Sequence, residues 1–324
     1  MGMNTTYGQD LHFSQFFNSP LTTNPANTGF IPDADYRLGF SYRNQYSNLM
    51  SMPYTTMSIF GDMQVLRNRL ETGWLGLGGV ILKDEAGSGS LSSTKIYGSL
   101  AYHQMLGYSS LLTAGFNVGW ANKRVDPSKL KFPDQFDGKF FDESLPTQVV
   151  LSYTNVSYLD LQVGMNYAYF PTEDIYINVG YSIQHVNQPR QTFFNDAGPN
   201  QLAMRHIGFA NAILKVASNV IINPNAYFTR QSNAAEFVLG MNAAYNLEGK
   251  GDKQIIGGLY YRYGDAFIPM VGLEVHNFRF TFSYDVTTSS LSNFNHGLGA
   301  TEFNLIKKGF YNESEPSQVL CPHF

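Results

Sequence analysis

The side chains that could carry out acid–base or metal chemistry are few and dispersed along this chain. None of the seven histidines has a partner at the i, i+4 spacing of a helical zinc site; they are His12, His103, His185, His206, His276, His296 and His323. The single cysteine, Cys321, permits no intramolecular disulfide and no cluster of soft metal ligands. Residues 84–87 and 134–137 offer carboxylates for calcium, but acidic loop tips are usually solvated turns. We therefore expect no enzymatic activity, no metal and no cofactor.

The segments that must position these side chains alternate between apolar and polar residues. In Phe278–Asp285, four aromatic residues fall on one face and four polar residues fall on the other. The same division appears at 36–43, 112–120, 159–167 and 175–184. Alternation with period two predicts β-strands, and roughly 9–11 residues let a tilted strand cross the hydrocarbon of a bilayer.

Fourteen such segments follow one another along the chain. The predicted strands cover residues 35–46, 53–63, 73–83, 93–106, 110–121, 158–170, 174–185, 203–215, 219–231, 234–246, 254–263, 266–276, 278–286 and 301–310. The longest stretch without Lys, Arg, Asp or Glu, residues 96–122, could span a bilayer as a helix by its length. Polar residues at 102–104 and 107–110 interrupt it, so we interpret it as two strands joined by a tight turn.

Composition and loop lengths favour a membrane barrel over a soluble sandwich or propeller, whose strands would alternate in the same way. Only 14% of the residues are charged, 15% are aromatic and the net charge is −4, which gives no basic stripe for nucleic acid. The three longest connections, 122–157, 186–202 and 287–300, would emerge at one end, and short turns at the other, as in outer-membrane barrels. We therefore predict an all-β fold, a closed transmembrane antiparallel β-barrel of about 14 strands in the bacterial outer membrane, in contact with lipid.

Two sets of residues follow from this barrel by their position on the strands. Aromatic residues near strand ends could form interfacial girdles; they are Trp74, Tyr108, Trp120, Tyr169, Phe170, Tyr245, Phe310 and Tyr311. Charged residues on the polar faces are predicted to line the lumen; they are Arg37, Arg43, Asp160, Arg262, Glu274, Arg279, Asp285 and Glu302. We interpret the second set as a mutually satisfied polar network that rigidifies the wall, with a permeation filter as the alternative.

The long outer connections carry the candidate partner-binding residues. Between Lys123 and Glu143 the chain holds ten charges with phenylalanines interleaved. Exposed aromatics beside charges are typical of a protein-binding rim. The candidates are Phe132, Asp134, Phe136, Phe140, Phe141, Phe193, Phe194 and Phe294. The alternative is that these rings pack over the barrel mouth and close it.

The two ends of the chain differ from the alternating middle. Residues 1–33 are predicted to form an N-terminal segment that plugs the lumen, residues 34–310 the barrel, and residues 311–324 a periplasmic tail. Glycines at 73–79 are expected to ease packing against the plug or to bend the wall, since no strand-to-helix phosphate loop surrounds them. Met1–Asp10 has no apolar segment, so we expect that a signal peptide is missing from this chain or was replaced.

Several blocks of residues together resemble one known family. They are Gln9-Asp10-Leu11-His12-Phe13-Ser14-Gln15-Phe16 with Pro20-Leu21, Asn24-Pro25-Ala26 and Gly29; Tyr42-Arg43-Asn44-Gln45 with Tyr54-Thr55-Thr56; Asp84 with Gly87, Ala101-Tyr102-His103, Asp134-Gln135, Tyr261-Arg262 with Asp265-Ala266, Ser283-Tyr284-Asp285 with Ser289, and Glu302; and the terminal Cys321-Pro322-His323-Phe324. The chain is similar in these blocks to the PorP/SprF proteins of the type IX secretion system. One departure is Tyr46, where the family commonly has Trp.

The resemblance implies an outer-membrane barrel that works with the type IX secretion and gliding machinery. SprF-like members help to export or anchor a large surface adhesin through its C-terminal domain, which makes such an adhesin the expected partner. PorP-like members associate instead with a periplasmic ring of other type IX components, a scaffold role that remains open here. A further alternative is a fatty-acid-transporter-like barrel for a small apolar ligand, because Asn24-Pro25-Ala26 also resembles the N-terminal hatch of such barrels.

Overall fold

Each strand of the structure, a computed structural model, pairs antiparallel with its neighbours in sequence. The structure describes residues 13–46, 53–67, 69–87, 91–130, 132–136, 138–140, 151–194, 200–247, 253–290 and 292–311, with Asp142, Leu145, Thr147 and Val149. Within this part of the chain the strands are β1 Tyr36–Gln45, β2 Tyr54–Val65, β3 Gly73–Ala86, β4 Leu91–Met105, β5 Ser110–Arg124, β6 Asn155–Thr172, β7 Ile175–Gln184, β8 Arg205–Ala217, β9 Val220–Gln231, β10 Ala234–Asn246, β11 Lys253–Arg262, β12 Ala266–Val275, β13 Phe278–Thr287 and β14 Leu298–Gly309.

The barrel closes where the first strand meets the last. β1 and β14 pair from Tyr36 opposite Gly309 to Gln45 opposite Ala300, so neither strand is left with an open edge. The predicted closed antiparallel barrel of 14 strands is confirmed. The largest boundary differences are three residues: β6 and β14 begin three residues earlier, and β3 and β5 end three residues later, than the alternation predicts.

The outer face of the wall is apolar and the inner face is polar. Ile59, Val271 and Phe280 point outward and are 58%, 61% and 51% exposed. Soluble proteins rarely leave a continuous apolar band of this kind in water. Residues on the alternate positions, such as Ser41 and Asn117, are buried inside. This reversed polarity is the pattern of a barrel whose exterior contacts lipid.

The two ends of the barrel have connections of different length. Residues 125–154, 185–204 and 288–297 connect strands at what we call the long-loop end. Two-residue connections at 173–174, 218–219 and 276–277 lie at the opposite, short-turn end. Short helices include α1 Pro20–Thr23 and α2 Ser292–Asn295, and the 3₁₀ turns Phe16–Asn18, Pro25–Asn27, Pro127–Lys129 and Pro133–Gln135. None of the described helices is long and apolar enough to cross a bilayer.

Residues 13–35, which we call the internal segment, lie inside the barrel. Its first residues contact β13 and β14 toward the long-loop end, and Asp35 N–H donates to the carbonyl of Gly309 at the short-turn end. Midway, the Asn24 side chain donates to Asn166 Oδ1 on β6 at 2.8 Å and to the carbonyl of Tyr181 on β7 at 3.2 Å. The segment therefore contacts several parts of the wall.

Glycines of the wall allow the internal segment to approach closely. A Cβ atom on Gly76 of β3 would overlap the carbonyl of Thr28, and one on Gly115 of β5 would overlap the backbone of Pro25 and Ala26. These neighbours are backbone atoms, which cannot rotate away as a flexible side chain could. The absence of a side chain at these glycines thus lets the segment pack directly against the wall, as the sequence led us to expect for residues 73–79.

Two members of the predicted aromatic girdles do not face lipid. Trp74 is 2% exposed and Phe170 is 5% exposed, because both point into the barrel. The indole N–H of Trp74 donates to the carbonyl of Gly29 at 3.0 Å, and its ring stacks on His103 at 4.6 Å. The girdle prediction was wrong for these two residues, whereas Tyr108, Trp120 and the others are exposed or partly exposed.

Candidate functional site

Five polar residues inside the long-loop half of the barrel form one buried group, the Ser14 cluster, which consists of Ser14, Arg43, Arg262, Asp285 and Glu302. Arg43 Nη2 lies 2.9 Å from Asp285 Oδ2, and Arg43 Nη1 lies 3.4 Å from Glu302 Oε2. Arg262 Nη1 lies 3.1 Å from the same Asp285 oxygen. All five residues are at most 4% exposed, so the charges stabilise one another away from bulk water.

The Ser14 cluster fastens the start of the internal segment to the wall. Ser14 and Gln15 donate their backbone N–H groups to the two carboxylate oxygens of Glu302, at 2.7 and 3.0 Å. The Ser14 hydroxyl donates to Asp285 and accepts from Arg43 and from Arg262. Two arginines and two carboxylates balance in charge, and the serine uses its donor and acceptor capacity among them.

A second group holds the segment near its turn at Gly29. The Asp62 carboxylate on β2 accepts from Arg37 Nε at 3.0 Å and Nη2 at 2.7 Å. It also accepts from the backbone N–H of Gly29 at 2.8 Å. Asp62 is 3% exposed, so its charge depends on these three donors.

We expect Asp62→Asn to lower the free energy of unfolding by about 2 kcal/mol, because one charge-assisted pair and one backbone bond weaken together. Chemical unfolding in detergent, followed by tryptophan fluorescence, measures this change. Thr94→Asn on β4 is a control without a charged partner, and it should leave the midpoint nearly unchanged. Equal midpoints for wild type and Asp62→Asn would contradict the assigned role.

A third group lies at the short-turn end. Glu274 on β12 accepts from Arg279 Nη2 at 2.6 Å and from Lys308 Nζ at 3.1 Å. Lys308 also pairs with Asp33 of the internal segment at 2.5 Å. Burial alone would raise the pKa of Asp33, but Lys308 and Arg279 lower it to about 2. The pair therefore remains ionised well into the acidic range.

A fourth group, on β4, β6 and the residue after β7, resembles an acid–base pair. His185 Nδ1 lies 2.8 Å from Asp160 Oδ1, and the Tyr97 hydroxyl donates to Asp160 Oδ2 at 2.6 Å. His185 and Asp160 are fully buried. The pair joins β6 to the first residue of the long connection after β7, and its geometry serves to position that connection.

The structure therefore places the eight predicted lumen residues in four separate groups rather than in one network. Arg43, Arg262, Asp285 and Glu302 meet in the Ser14 cluster, and Glu274 meets Arg279 at the other end. Arg37 and Asp160 each pair with residues that alternation did not single out. Across the four groups, the partners that the sequence analysis did not include are Ser14, Asp33, Asp62, Tyr97, His185 and Lys308. Asp62 and Lys308 carry the same signal, a charge on the polar face of a strand, and could have been included among the predicted lumen residues.

The predicted partner-binding residues lie at the long-loop end with different exposure. Phe136, Phe140 and Phe294 are 51%, 72% and 79% exposed, and Phe194 is also exposed. Phe132 and Phe193 are partly buried. Asp134 is exposed and accepts from the Thr147 hydroxyl at 3.0 Å. Phe141 lies outside the described residues, as do residues 312–324 of the predicted tail, with Cys321, and residues 1–12 of the predicted N-terminal segment.

Two of the long connections contact each other at this end. The backbone N–H groups of Ser152 and Tyr153 both donate to the carbonyl of Phe193, at 3.0 Å. The connection after β5 and the connection after β7 are thereby joined. In the described residues, no group of three or more His, Cys, Asp or Glu side chains is arranged to hold a metal ion.

A closed barrel with an apolar exterior, paired charges within and a segment inside its lumen belongs to the class of outer-membrane β-barrel proteins. Solved barrels of this class have similar structures. The toluene transporter TbuX of Ralstonia pickettii is 11% identical, with a TM-score of 0.54, and the match covers 90% of this chain and 94% of that one. The toluene transporter TodX of Pseudomonas putida is 12% identical, with a TM-score of 0.54, and the match covers 89% and 92%. A FadL homologue of Pseudomonas aeruginosa is 9% identical, with a TM-score of 0.54 and coverage of 89% and 93%.

At such low identity these likenesses show the fold alone. No curated protein was found to match the chain. The sequence model for the type IX secretion system membrane protein PorP/SprF matches residues 5–304, and the chain belongs to the PorP/SprF family. It is therefore an outer-membrane component of the type IX secretion system, as the resemblance implied.

Proposed function

We propose that this protein binds the C-terminal domain of a large secreted adhesin at the long-loop end and so helps to export it or to anchor it at the cell surface. The observation that carries the proposal is the exposure of Phe136, Phe140, Phe194 and Phe294 at one end of the barrel. Large exposed aromatic side chains are the residues that most often contribute binding energy at protein interfaces. Membership of the type IX family supports a secreted protein as the partner.

The location of these rings supports docking rather than closure of the barrel mouth. Phe140 and Phe294 are more than two-thirds exposed, so most of their surface is not used in packing within the described chain. The exposed carboxylate of Asp134 lies in the same connection as Phe136 and Phe140. A rim of this composition combines apolar anchors with charges that orient a partner.

A protein whose interior is already occupied is better suited to holding a partner outside than to passing one through. The internal segment is bonded to the wall through the Ser14 cluster, through Asp62 and through Lys308. Transport of a small apolar ligand would require these groups to separate. We therefore place the proposed adhesin contact on the outer loops 122–157, 186–202 and 287–300.

Exposed side chains at the short-turn end support a second candidate, a contact with other type IX components in the periplasm. Tyr108 is fully exposed in the turn between β4 and β5, with Leu106 beside it at 48% exposure. Leu247, which follows β10, is 50% exposed. These residues would serve a scaffold function and not the capture of an adhesin.

A gentle detergent pull-down at native expression, with identification of the recovered proteins, tests both proposals. We expect shortening of residues 126–143, or the triple change Phe136→Ser, Phe140→Ser and Phe294→Ser, to reduce adhesin recovery at least tenfold, because each lost anchor typically costs about 1–2 kcal/mol. The matched control is Leu106→Ser with Tyr108→Ser, which changes exposed residues at the opposite end.

The pattern of losses identifies the role. Loss of an adhesin with the long-loop variants, but not with the control, supports the first proposal. Loss of periplasmic components with the Leu106→Ser and Tyr108→Ser variant supports the scaffold. Undiminished recovery of every partner with the long-loop variants would rule out the proposed adhesin contact.

A further inference from the structure

A cavity of about 160 Å³ lies inside the barrel, between the internal segment and the inner face of β7, β8 and β9. Asn178, Asn211 and Asn225 line it on the side of the wall. Phe16, Phe17 and Phe30 line it on the side of the internal segment. The lining includes none of the exposed phenylalanines of the long-loop end, and the cavity plays no part in the proposed binding of an adhesin.

The three asparagines form a row across neighbouring strands. Asn178 on β7 lies opposite Asn211 on β8, and Asn211 lies opposite Asn225 on β9. Asn178 and Asn225 are 4% and 5% exposed. Among the described residues, no donor reaches the buried Oδ1 atom of Asn178 or of Asn211. Buried polar atoms are nearly always hydrogen-bonded in proteins, so either acceptor gains a partner when its amide turns toward a donor in the cavity.

The opposite side of the cavity is aromatic and held in place. Phe16 stacks on Tyr227 with ring centroids 4.8 Å apart, and Phe17 stacks on Tyr260 at 5.3 Å. Phe30 packs near Tyr176 at 6.1 Å. Since these rings are supported by other rings, the apolar side of the cavity is formed before any ligand arrives.

Among the described residues that line the cavity, the one charged side chain already has a partner. Arg37 lines the cavity, but its Nε and Nη2 atoms donate to Asp62. Nη2 also approaches the carbonyl of Asn27 at 3.3 Å. The positive charge is thus balanced by a buried carboxylate, which favours a neutral ligand over an anion.

We propose that this cavity is a binding site for a small neutral ring compound that carries a hydrogen-bond donor, the class represented by phenol. An enclosed cavity of about 150 Å³ accommodates one benzene ring, so a single ring matches the volume available. The ring contacts the phenylalanines of the internal segment, and its hydroxyl donates to Oδ1 of Asn178 or of Asn211 when that amide turns toward the cavity. Apolar contact with a few convergent polar groups is the usual composition of such sites.

The proposal is tested on the full chain in detergent by ¹⁹F NMR titration with 4-fluorophenol, with empty micelles as the background and with phenol and toluene as competitors. We expect saturable binding to wild type and competition by phenol that is about tenfold stronger than by toluene, because one buried acceptor gains a donor. Asn178→Leu and Asn211→Leu keep a similar side-chain volume. Each should weaken the binding of phenol about tenfold without weakening the binding of toluene.

Two further variants separate the site from general effects. Ile213→Trp places a large ring in the cavity and should abolish the binding of both compounds. Asn293→Leu makes the same chemical change at an exposed position in α2 and should leave both affinities at the wild-type value. Absence of saturable binding to wild type, equal affinity of wild type for phenol and toluene, or binding that Ile213→Trp leaves intact would each overturn the proposal, without bearing on the adhesin.

Discussion

Replacing Arg43 with methionine is expected to lower the free energy of unfolding of the barrel by about 3–5 kcal/mol. Arg43 is 4% exposed and contacts Asp285, Glu302 and the Ser14 hydroxyl. Methionine fills much of the same space, but it removes one of the two arginines paired with Asp285 and the arginine paired with Glu302. Removing one partner of a buried ion pair is costly because the remaining charge cannot regain its hydration.

Equilibrium unfolding in detergent micelles, followed by the fluorescence of Trp74 and Trp120, measures this loss. The matched control is Lys83→Met on β3. Lys83 also forms an ion pair, with Glu85 at 2.7 Å, but both side chains are about half exposed. Exposed pairs contribute roughly 0–1 kcal/mol, so the control should change stability little. Similar losses in the two variants would mean that the Ser14 cluster contributes no more than a surface pair.

Replacing Gly115 with valine is expected to displace the internal segment and make the lumen permeable to small solutes. A Cβ at this position would overlap the backbone of Pro25 and Ala26, and the two further carbons of valine increase the overlap. Overpacking of this kind costs about 1–3 kcal/mol, which is comparable with the bonds that hold Asn24 to β6 and β7. We expect the segment to yield, because the wall is fixed by its strand pairing.

Liposomes loaded with a small dye provide the measurement. Those containing the Gly115→Val protein should release the dye several-fold faster than those containing wild type, as expected for an opened barrel of this size. Gly257→Val is the control, because no atom lies within 4 Å of a Cβ at Gly257. Equal release by Gly115→Val and wild type would show that residues 13–35 do not close the lumen, contrary to the proposed plug.

Much of the wall could be predicted from the sequence because alternation is a local property. The even positions from Phe278 to Tyr284 are aromatic, and β13 spans Phe278–Thr287 as this pattern indicates. Predicting the strands of an outer-membrane barrel requires no long-range information, since each strand has one face toward lipid. The start of β6 was predicted three residues too late, because Asn155–Ser157 carry no apolar alternation and extend the strand only by pairing with β5.

The contacts of the interior could not be predicted in the same way. Residues 13–35 have no period, and Ser14 is separated from Glu302 by 288 positions along the chain. Trp74 resembled a girdle residue because an aromatic side chain near a strand end usually faces the membrane interface. Its indole N–H instead donates to the carbonyl of Gly29 inside the barrel. Such pairings depend on where the closed wall places each inward side chain. Alternation predicts which face of the strand a residue occupies, but it does not predict which residue that side chain contacts.

The position of the Ser14 cluster also has a consequence for the order of assembly. Arg43 of β1 lies directly opposite Glu302 of β14 across the seam where the two ends of the wall join. The other members, Arg262, Asp285 and Ser14, come from β11, β13 and the start of the internal segment. The counter-ions of this group are therefore incomplete until the final hairpin has docked onto the first strand. Insertion of the last strand and binding of residues 13–35 inside the barrel are thus coupled steps of biogenesis. A truncated chain that lacks β14 would complete neither step.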